Sequence, residues 1–415
     1  MTPFQPIGGD RPQSYYGYVV VAAAFIMMVI IWGTFSTFGV FFESFVKEFG
    51  WTRTITSGAS ALNNIVFGIL CIFTADLSKR VGPRCVMTFC GFVLGFSYIL
   101  ISRLTSSWEL YLYFGLCASV GMSPYIPLLS LVPKWFTTNR GRMNAIVLSG
   151  MGLGTMIAPP IASRFIALWQ WRNSYLVIAV ITVVVMVGAS QFLRDPVNRQ
   201  PSEKNGNEGF TLRQAVHTRE FALLCILYFS FLFCLIATLV HIVIHATGLG
   251  IPASNAALTL SIIGGVSIVG MNVMGNIADH LGNKTALCVS YSLMGLSFVW
   301  LTLSDSFWHF YLFSAAFGFS YGGMQALFSP LVAELFGIRS HGVILAAGAL
   351  VGSVGAAIGP MVAGYVFDIL GSYTIAFVIC ALLAFAGLVS TLFFRRRGQN
   401  LKVLLPCPPK NRSGC

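Results

Sequence analysis

The sequence predicts an all-α membrane protein of twelve transmembrane helices, arranged as two six-helix bundles that repeat one another. Three observations carry that prediction. The first is composition: of 415 residues, 56% are hydrophobic and 9% charged, with a mean hydropathy of +0.79, whereas soluble domains carry about 25% charged residues. The second is a series of apolar runs of roughly 20 residues, the length a helix needs to cross about 30 Å of hydrocarbon. The third is an offset of 200 positions, at which Gly50, Gly82, Arg84, Phe136, Gly152 and Pro160 recur as Gly250, Gly282, Lys284, Phe336, Gly352 and Pro360.

The apolar runs fall at 18–42, 54–77, 85–102, 109–132, 143–167, 175–193, 220–246, 256–278, 284–304, 308–333, 341–366 and 373–394. Every break is short except the one from Arg194 to Glu220, which holds Pro196, Pro201, Asn205, Gly206 and mixed charges, the composition of a linker that buries no core. This gives a first bundle over 1–193, a cytoplasmic linker over 194–219, a second bundle over 220–394 and a cytoplasmic tail over 395–415. The segment Met1–Gln13 is polar and shows no removable signal.

Orientation follows from the basic residues, which are retained on the cytoplasmic side. With the N-terminus inside, 20 of the 25 Lys and Arg fall in cytoplasmic segments and 5 outside: Lys47, Arg53, Arg103, Arg164 and Arg172. Both termini are therefore expected in the cytoplasm. The net charge of +12 reads as topology, because the basic residues are spread between apolar runs and form no nucleic-acid-binding face. Cys71, Cys90, Cys117, Cys225, Cys234, Cys288 and Cys380 lie in apolar runs without metal spacing and read as small buried thiols. Six ordered pairs in matching helices argue for a duplication, with a site between the halves at the midplane and alternating access as the mechanism it supports.

In the second half, Gly275-Asn-Ile-Ala-Asp279-His280-Leu-Gly282-Asn-Lys284 resembles the loop signature of the major facilitator superfamily. Its glycine permits close helix approach, and its acid can latch one conformation by pairing with a basic group or a helix end of the other bundle. The resemblance implies a conformational latch at Asp279 and Lys284. The first-half copy places Lys79 where the family has an acid, so Asp76, one turn earlier, is the substitute, with Arg84 as the closing basic residue. Segments Pro124-Tyr125-Ile126-Pro127, Lys134-Trp135-Phe136, Asn139-Arg140-Gly141-Arg142, Gly150 to Pro160, Gln170-Trp171-Arg172, Gly318 to Gly323 and Glu334 to Gly337 are similar to bacterial monocarboxylate-transporter-like and oxalate/formate-antiporter-like members. That similarity implies transport of small organic anions with protons, in a bacterial inner (plasma) membrane. The Arg that relatives place in helix 8 aligns with Met271, with Ser267 at the position of its acidic partner, and a lysine of helix 1 aligns near Ser36.

No Asp, Glu, Lys or Arg lies near the centre of any span. Burying an unpaired carboxylate costs several kcal/mol, and a neutral hydrogen bond recovers only about 0.5–1.5. An anion would need several donors, a protonated histidine, or entry as the neutral acid. His241 and His245 stand one turn apart on helix 7, and His241, the deeper, is the candidate for proton coupling, against a role in bonding another helix. Tyr125, Tyr321, Gln325, Asn272 and Asn63 are the candidate substrate-binding donors, together with Ser36 and Met271 from the alignment. Of Asn63 and Asn64, one amide is expected to face the cavity and the other a neighbouring helix, the order left open. Thr155 reads as packing. The glycines before Pro159-Pro160 and Pro360 read as close packing and gating, since they lack the context of a phosphate loop.

The leading expectation is a secondary transporter of small monocarboxylates with protons, embedded in the lipid bilayer. Transport of neutral or amphiphilic compounds is the alternative, favoured by the missing cation, and a non-transporting membrane sensor is the third reading. No catalytic set, metal spacing, cofactor or nucleotide loop is legible.

Overall fold

The computed structural model describes residues 11–136, 140–195, 209–303, 306–337 and 339–394, so half of the expected linker, 196–208, and the whole expected tail 395–415 lie outside the described residues. Six helices precede the linker: α1 Arg11–Phe49, α2 Arg53–Val81, α3 Pro83–Ser102, α4 Ser107–Leu131, α5 over 140–169 and α6 over 171–190. Six follow it: α7 Arg219–Gly248, α8 Ala253–Leu281, α9 Asn283–Thr302, α10 Phe307–Phe336, α11 His341–Leu370 and α12 Thr374–Leu392. Ten helical stretches among the described residues are long and apolar enough to cross a membrane, one of them containing both α5 and α6. The helix outside that set is α10, whose 30 residues include His309, Tyr321, Gln325 and Glu334.

Helices run past the apolar runs that announced them, because hydropathy marks the part in hydrocarbon and the backbone stays helical beyond it. α1 has 39 residues and α2 has 29. Between α5 and α6 the expected loop shrinks to one residue, Gln170, whose φ of 63° is a strained choice for a non-glycine side chain. The next two residues hold that corner: the Trp171 indole N–H and the Arg172 guanidinium both donate to the Glu48 carboxylate at the end of α1. Arg172 also donates to the Leu104 carbonyl at 3.0 Å, joining the ends of α1, α3 and α6. α4 is not a uniform α-helix: Tyr111–Ala118 has π geometry, and the helix is remade after Pro124.

The duplication is visible in backbone angles. Gly82 between α2 and α3 has φ 94° and ψ 151°, and Gly282 between α8 and α9 has φ 90° and ψ 152°. Both positions require glycine, since a side chain there would be strained. The basic residues that follow behave alike within their own halves. Arg84 donates to Gln191 at the end of α6, and Lys284 donates to the Leu392 and Phe394 carbonyls at the end of α12, at 2.6 and 3.0 Å.

The halves meet along α2 with α11, α5 with α8, and α1 with α7. Small residues set the approach: a Cβ on Gly152 of α5 would lie 2.7 Å from the Gly264 carbonyl oxygen of α8. The perimeter is apolar and exposed at Phe73, Phe89, Phe96, Val180, Val184 and Leu312, as lipid-facing surface should be. Phe38, Phe41, Phe42 and Phe45 of α1 are instead buried in the core. Not all thiols are buried: Cys117, Cys225 and Cys288 are half-exposed, because their helix faces turn partly outward.

Candidate functional site

A cavity of about 20 Å³, room for one or two waters, opens among α1, α2 and α4 and is lined by Ile31, Trp32, Phe35, Asn63, Asn64, Phe67 and Met122. Both asparagines therefore reach it, and each also serves its scaffold. Asn63 Nδ2 donates to the Phe114 carbonyl at 2.8 Å, inside the π segment of α4, and Ser119 Oγ donates back to the Asn63 carbonyl at 3.1 Å. The alternative register of a π turn leaves a carbonyl for a neighbouring helix to satisfy. Asn64 Nδ2 donates within α2 to Ser60 at 2.8 Å.

Beside the cavity, Gln325 Nε2 donates across the halves to the Tyr125 hydroxyl at 3.4 Å. The Tyr125 ring packs against Trp32 and Phe67 at centroid distances of 6.3 and 6.2 Å. Tyr321, buried, stacks on Phe231 at 6.1 Å, and its hydroxyl makes no hydrogen bond among the described residues. The Trp32 indole N–H is buried without a hydrogen-bond partner among the described residues. Trp32, Phe35, Phe67 and Met122 are residues that sequence reasoning did not single out. A tryptophan within the apolar centre of helix 1, away from the interfaces where tryptophan collects, was the available signal.

Other expected site residues lie apart from the cavity lining. Ser36 is buried and donates to Gly33 of its own helix at 2.8 Å. Met271 is buried in α8, and Ser267, one turn before it, donates to Gly264 at 2.7 Å. Asn272 is exposed and donates to Ile268 of its own helix at 2.7 Å. Thr155 is buried where α5 meets α8.

His241 has no exposed surface and stands at a second cluster, toward the end of the bundle opposite the start of α1 and the end of α12. Its Nδ1 lies 2.9 Å from the Tyr373 hydroxyl and its Nε2 lies 2.8 Å from the Pro360 carbonyl. A carbonyl only accepts, so Nε2 carries a hydrogen, and in the neutral ring Nδ1 accepts from Tyr373. Arg53 Nη1 donates in turn to the Tyr373 oxygen at 2.6 Å, and its guanidinium lies 3.3 Å over the Phe367 ring. The Asp368 carboxylate accepts from the backbone N–H groups of Arg53 and Thr54 at 3.0 and 2.8 Å, and from Thr54 Oγ1 at 2.5 Å. His245, half-buried, packs its ring against Phe310, Tyr373 and Phe377.

An acid of one half thus does cap a helix end of the other, but the acid is Asp368 and the helix is α2. Of the residues expected to latch the other end, Asp76 pairs with Arg80 of its own helix at 2.8 Å, and Asp279 is exposed with no ion pair among the described residues. Arg84 and Lys284 are engaged within their own halves, as described above. Asp368 carried a signal in sequence: a carboxylate in the last turn of a helix opposes the dipole and needs a partner elsewhere. Among the described residues, no three His, Cys, Asp or Glu side chains gather as a metal site.

Two packed six-helix halves, with a small uncharged cavity among α1, α2 and α4 of the first and a contact across the halves beside it, define a helical membrane protein of the two-bundle transporter class. The Major Facilitator Superfamily model matches residues 24–287 and 273–405, and the chain belongs to that family. It is 26% identical over 396 residues to monocarboxylate transporter 13 of Rattus norvegicus, covering 92% of this chain and 90% of that one. It is 23% identical over 435 residues to monocarboxylate transporter 12 of Mus musculus, covering 96% and 90%. An MFS-type transporter of an Ophiocordyceps strain is 24% identical over 349 residues, covering 81% and 74%. Among solved structures, a bacterial homologue of the human lysosomal transporter Spinster shares the fold, with a TM-score of 0.68, 13% identity, and coverage of 93% and 95%. The protein is a transporter of the major facilitator type, an integral membrane protein.

Proposed function

We propose that this transporter carries small monocarboxylates together with a proton by alternating access. The observation that carries the reading is the uncharged cavity: Trp32, one of its lining residues, has an indole N–H without a partner among the described residues, and Gln325 and Tyr125 bridge the halves beside it. A carboxylate entering it alone would meet no cation and would bear several kcal/mol of desolvation, whereas one arriving with a proton presents a neutral acid or a neutralised pair. His241, buried and within hydrogen-bond reach of Tyr373 and the Pro360 carbonyl, is the group to which we assign that proton. The names of the mammalian relatives agree with the substrate class. The excess of basic residues in the segments on the terminal side supports cytoplasmic termini in a plasma membrane.

The experiment is uptake of labelled lactate, pyruvate, acetate, formate and oxalate into proteoliposomes, with and without an inward proton gradient. Gradient-stimulated uptake of a monocarboxylate is the expected result. A second reading, transport of neutral or amphiphilic compounds, is favoured by the apolar lining of Ile31, Phe35, Phe67 and Met122. Uptake of none of the acids by folded, inserted protein would establish that second reading over the first.

A further inference from the structure

With His241 neutral, the hydrogen bonds around it form one directed chain. Arg53 donates to the Tyr373 oxygen, Tyr373 donates to His241 Nδ1, and His241 Nε2 donates to the Pro360 carbonyl. Three of these groups belong to the second half: His241 on α7, Pro360 in α11, and Tyr373 between α11 and α12. Arg53, at the start of α2, belongs to the first. The single link that crosses the halves in this chain is therefore the bond from Arg53 to Tyr373, and it stands beside the crossing contacts that Arg53 and Thr54 make with Asp368 and Phe367.

We propose that Arg53 and Tyr373 position His241 and make its protonation state decide whether the ends of α2 and α11 stay joined. The inference rests on the proton-coupled reading above and adds residues that it does not name. With His241 neutral, every donor in the chain meets one acceptor. An added proton can go only to Nδ1, the ring nitrogen that carries no hydrogen, replacing the bond it accepts from Tyr373 and converting the imidazole to imidazolium with N–H on both sides. The Tyr373 hydroxyl then has to turn its own hydrogen away and accept from both Nδ1–H and Arg53, placing two cations on one oxygen. Their repulsion acts in a partly buried setting where screening is weak.

The groups that face His241 leave that repulsion as the deciding interaction. Besides Arg53 from α2 they are Asp368 from α11, His245 from its own helix, Tyr373 ahead of α12, and, from α1, the apolar Phe42 ring at 5.3 Å. Asp368 attracts both cations, but its oxygens are already engaged by the α2 backbone and Thr54. Separating Arg53 from Tyr373 relieves the imidazolium and releases the joined ends in one movement. Tyr373 and Arg53 act through His241, so they are positioning residues.

The backbone N–H groups of Arg53 and Thr54, bonded to Asp368, report the closed contact directly by hydrogen–deuterium exchange of the full chain in proteoliposomes. After correction for intrinsic exchange rates, protection of the segment around residues 52–57 should fall about tenfold between pH 8 and pH 5. His241→Gln and Tyr373→Phe should each remove that dependence. Arg53→Gln, which keeps the backbone bonds to Asp368 and takes away the cation, removes the repulsion and should reduce the change in protection over the same pH range to less than about threefold. A merely structural role would lower protection at every pH and leave the tenfold pH dependence in place in the variants, which would overturn the proposal, as would pH-independent protection in the wild type. Pyruvate uptake on the same preparation separates the two readings: pH-dependent exchange with uptake insensitive to the gradient would support the switch and overturn coupled transport.

Discussion

Gln325 donates to Tyr125 across the two halves, and the two residues are separated by 200 positions, the period of the duplication itself. Residues equivalent by a twofold relation can touch only on or near its axis, so the contact marks where the pseudo-symmetry axis passes, next to the cavity lined by Trp32 and Asn63. At 3.4 Å the bond is long and weak. It suits a contact that must open and close as the halves move.

Replacement of Trp32 by Phe keeps an aromatic wall and deletes the unpartnered donor. If that N–H meets the substrate carboxyl, the variant should show a KM for pyruvate raised about tenfold with kcat little changed, as expected for loss of one hydrogen bond to a charged or strongly polar group. Initial-rate uptake over a range of pyruvate concentrations measures it. An unchanged KM would remove Trp32 from the binding site.

A cross-link between the halves should stop transport. A Cβ on Gly68 of α2 would stand 3.1 Å from the Ser353 Cβ of α11, so a shift of about half an ångström brings the pair to disulfide spacing. The double variant Gly68→Cys, Ser353→Cys should lose at least nine-tenths of its uptake on oxidation and regain it on reduction. Full activity with the bond shown to be formed by mass spectrometry would mean that α2 and α11 do not separate during the cycle.

The capping carboxylate should favour the joined state. Asp368→Asn leaves one acceptor facing two backbone donors and a hydroxyl, and because Asp368 is exposed the loss should be modest, about 1 kcal/mol. Accessibility of a cysteine placed at the buried Ser57 to an impermeant maleimide should rise several-fold in that variant. Equal labelling in both backgrounds would show that the cap does not contribute to closure.

Glu48 is expected to act on stability rather than on transport. Its carboxylate gathers Trp171 and Arg172 at the corner where Gln170 is strained. Glu48→Gln should destabilise the first half by about 1–2 kcal/mol, seen as a lower midpoint of thermal unfolding in detergent, with the KM for any transported acid unaltered.

What was legible in the sequence follows from which interactions are local. Gly82 and Gly282 announce the duplication because their positive φ can be met only by glycine at a given place in the chain. The depth of His241 is read from a single helix by counting turns. The Arg53 to Asp368 contact spans 315 positions and depends on how α2 lies along α11, which no local pattern encodes. The same holds for Asn63, whose partner exists because α4 adopts a π turn at Phe114. Asn272 and Ser36 illustrate the converse: a polar residue in the right helix can spend its donor on its own backbone.

Proton movement accompanying the substrate tests the central claim most directly. Proteoliposomes loaded with a pH-sensitive dye, with no imposed gradient, should acidify inside when pyruvate is added outside, and those carrying His241→Gln should take up pyruvate without acidification or not at all. Pyruvate uptake by the wild-type protein with no proton entering, after permeation of the free acid through protein-free vesicles is subtracted, would contradict the account.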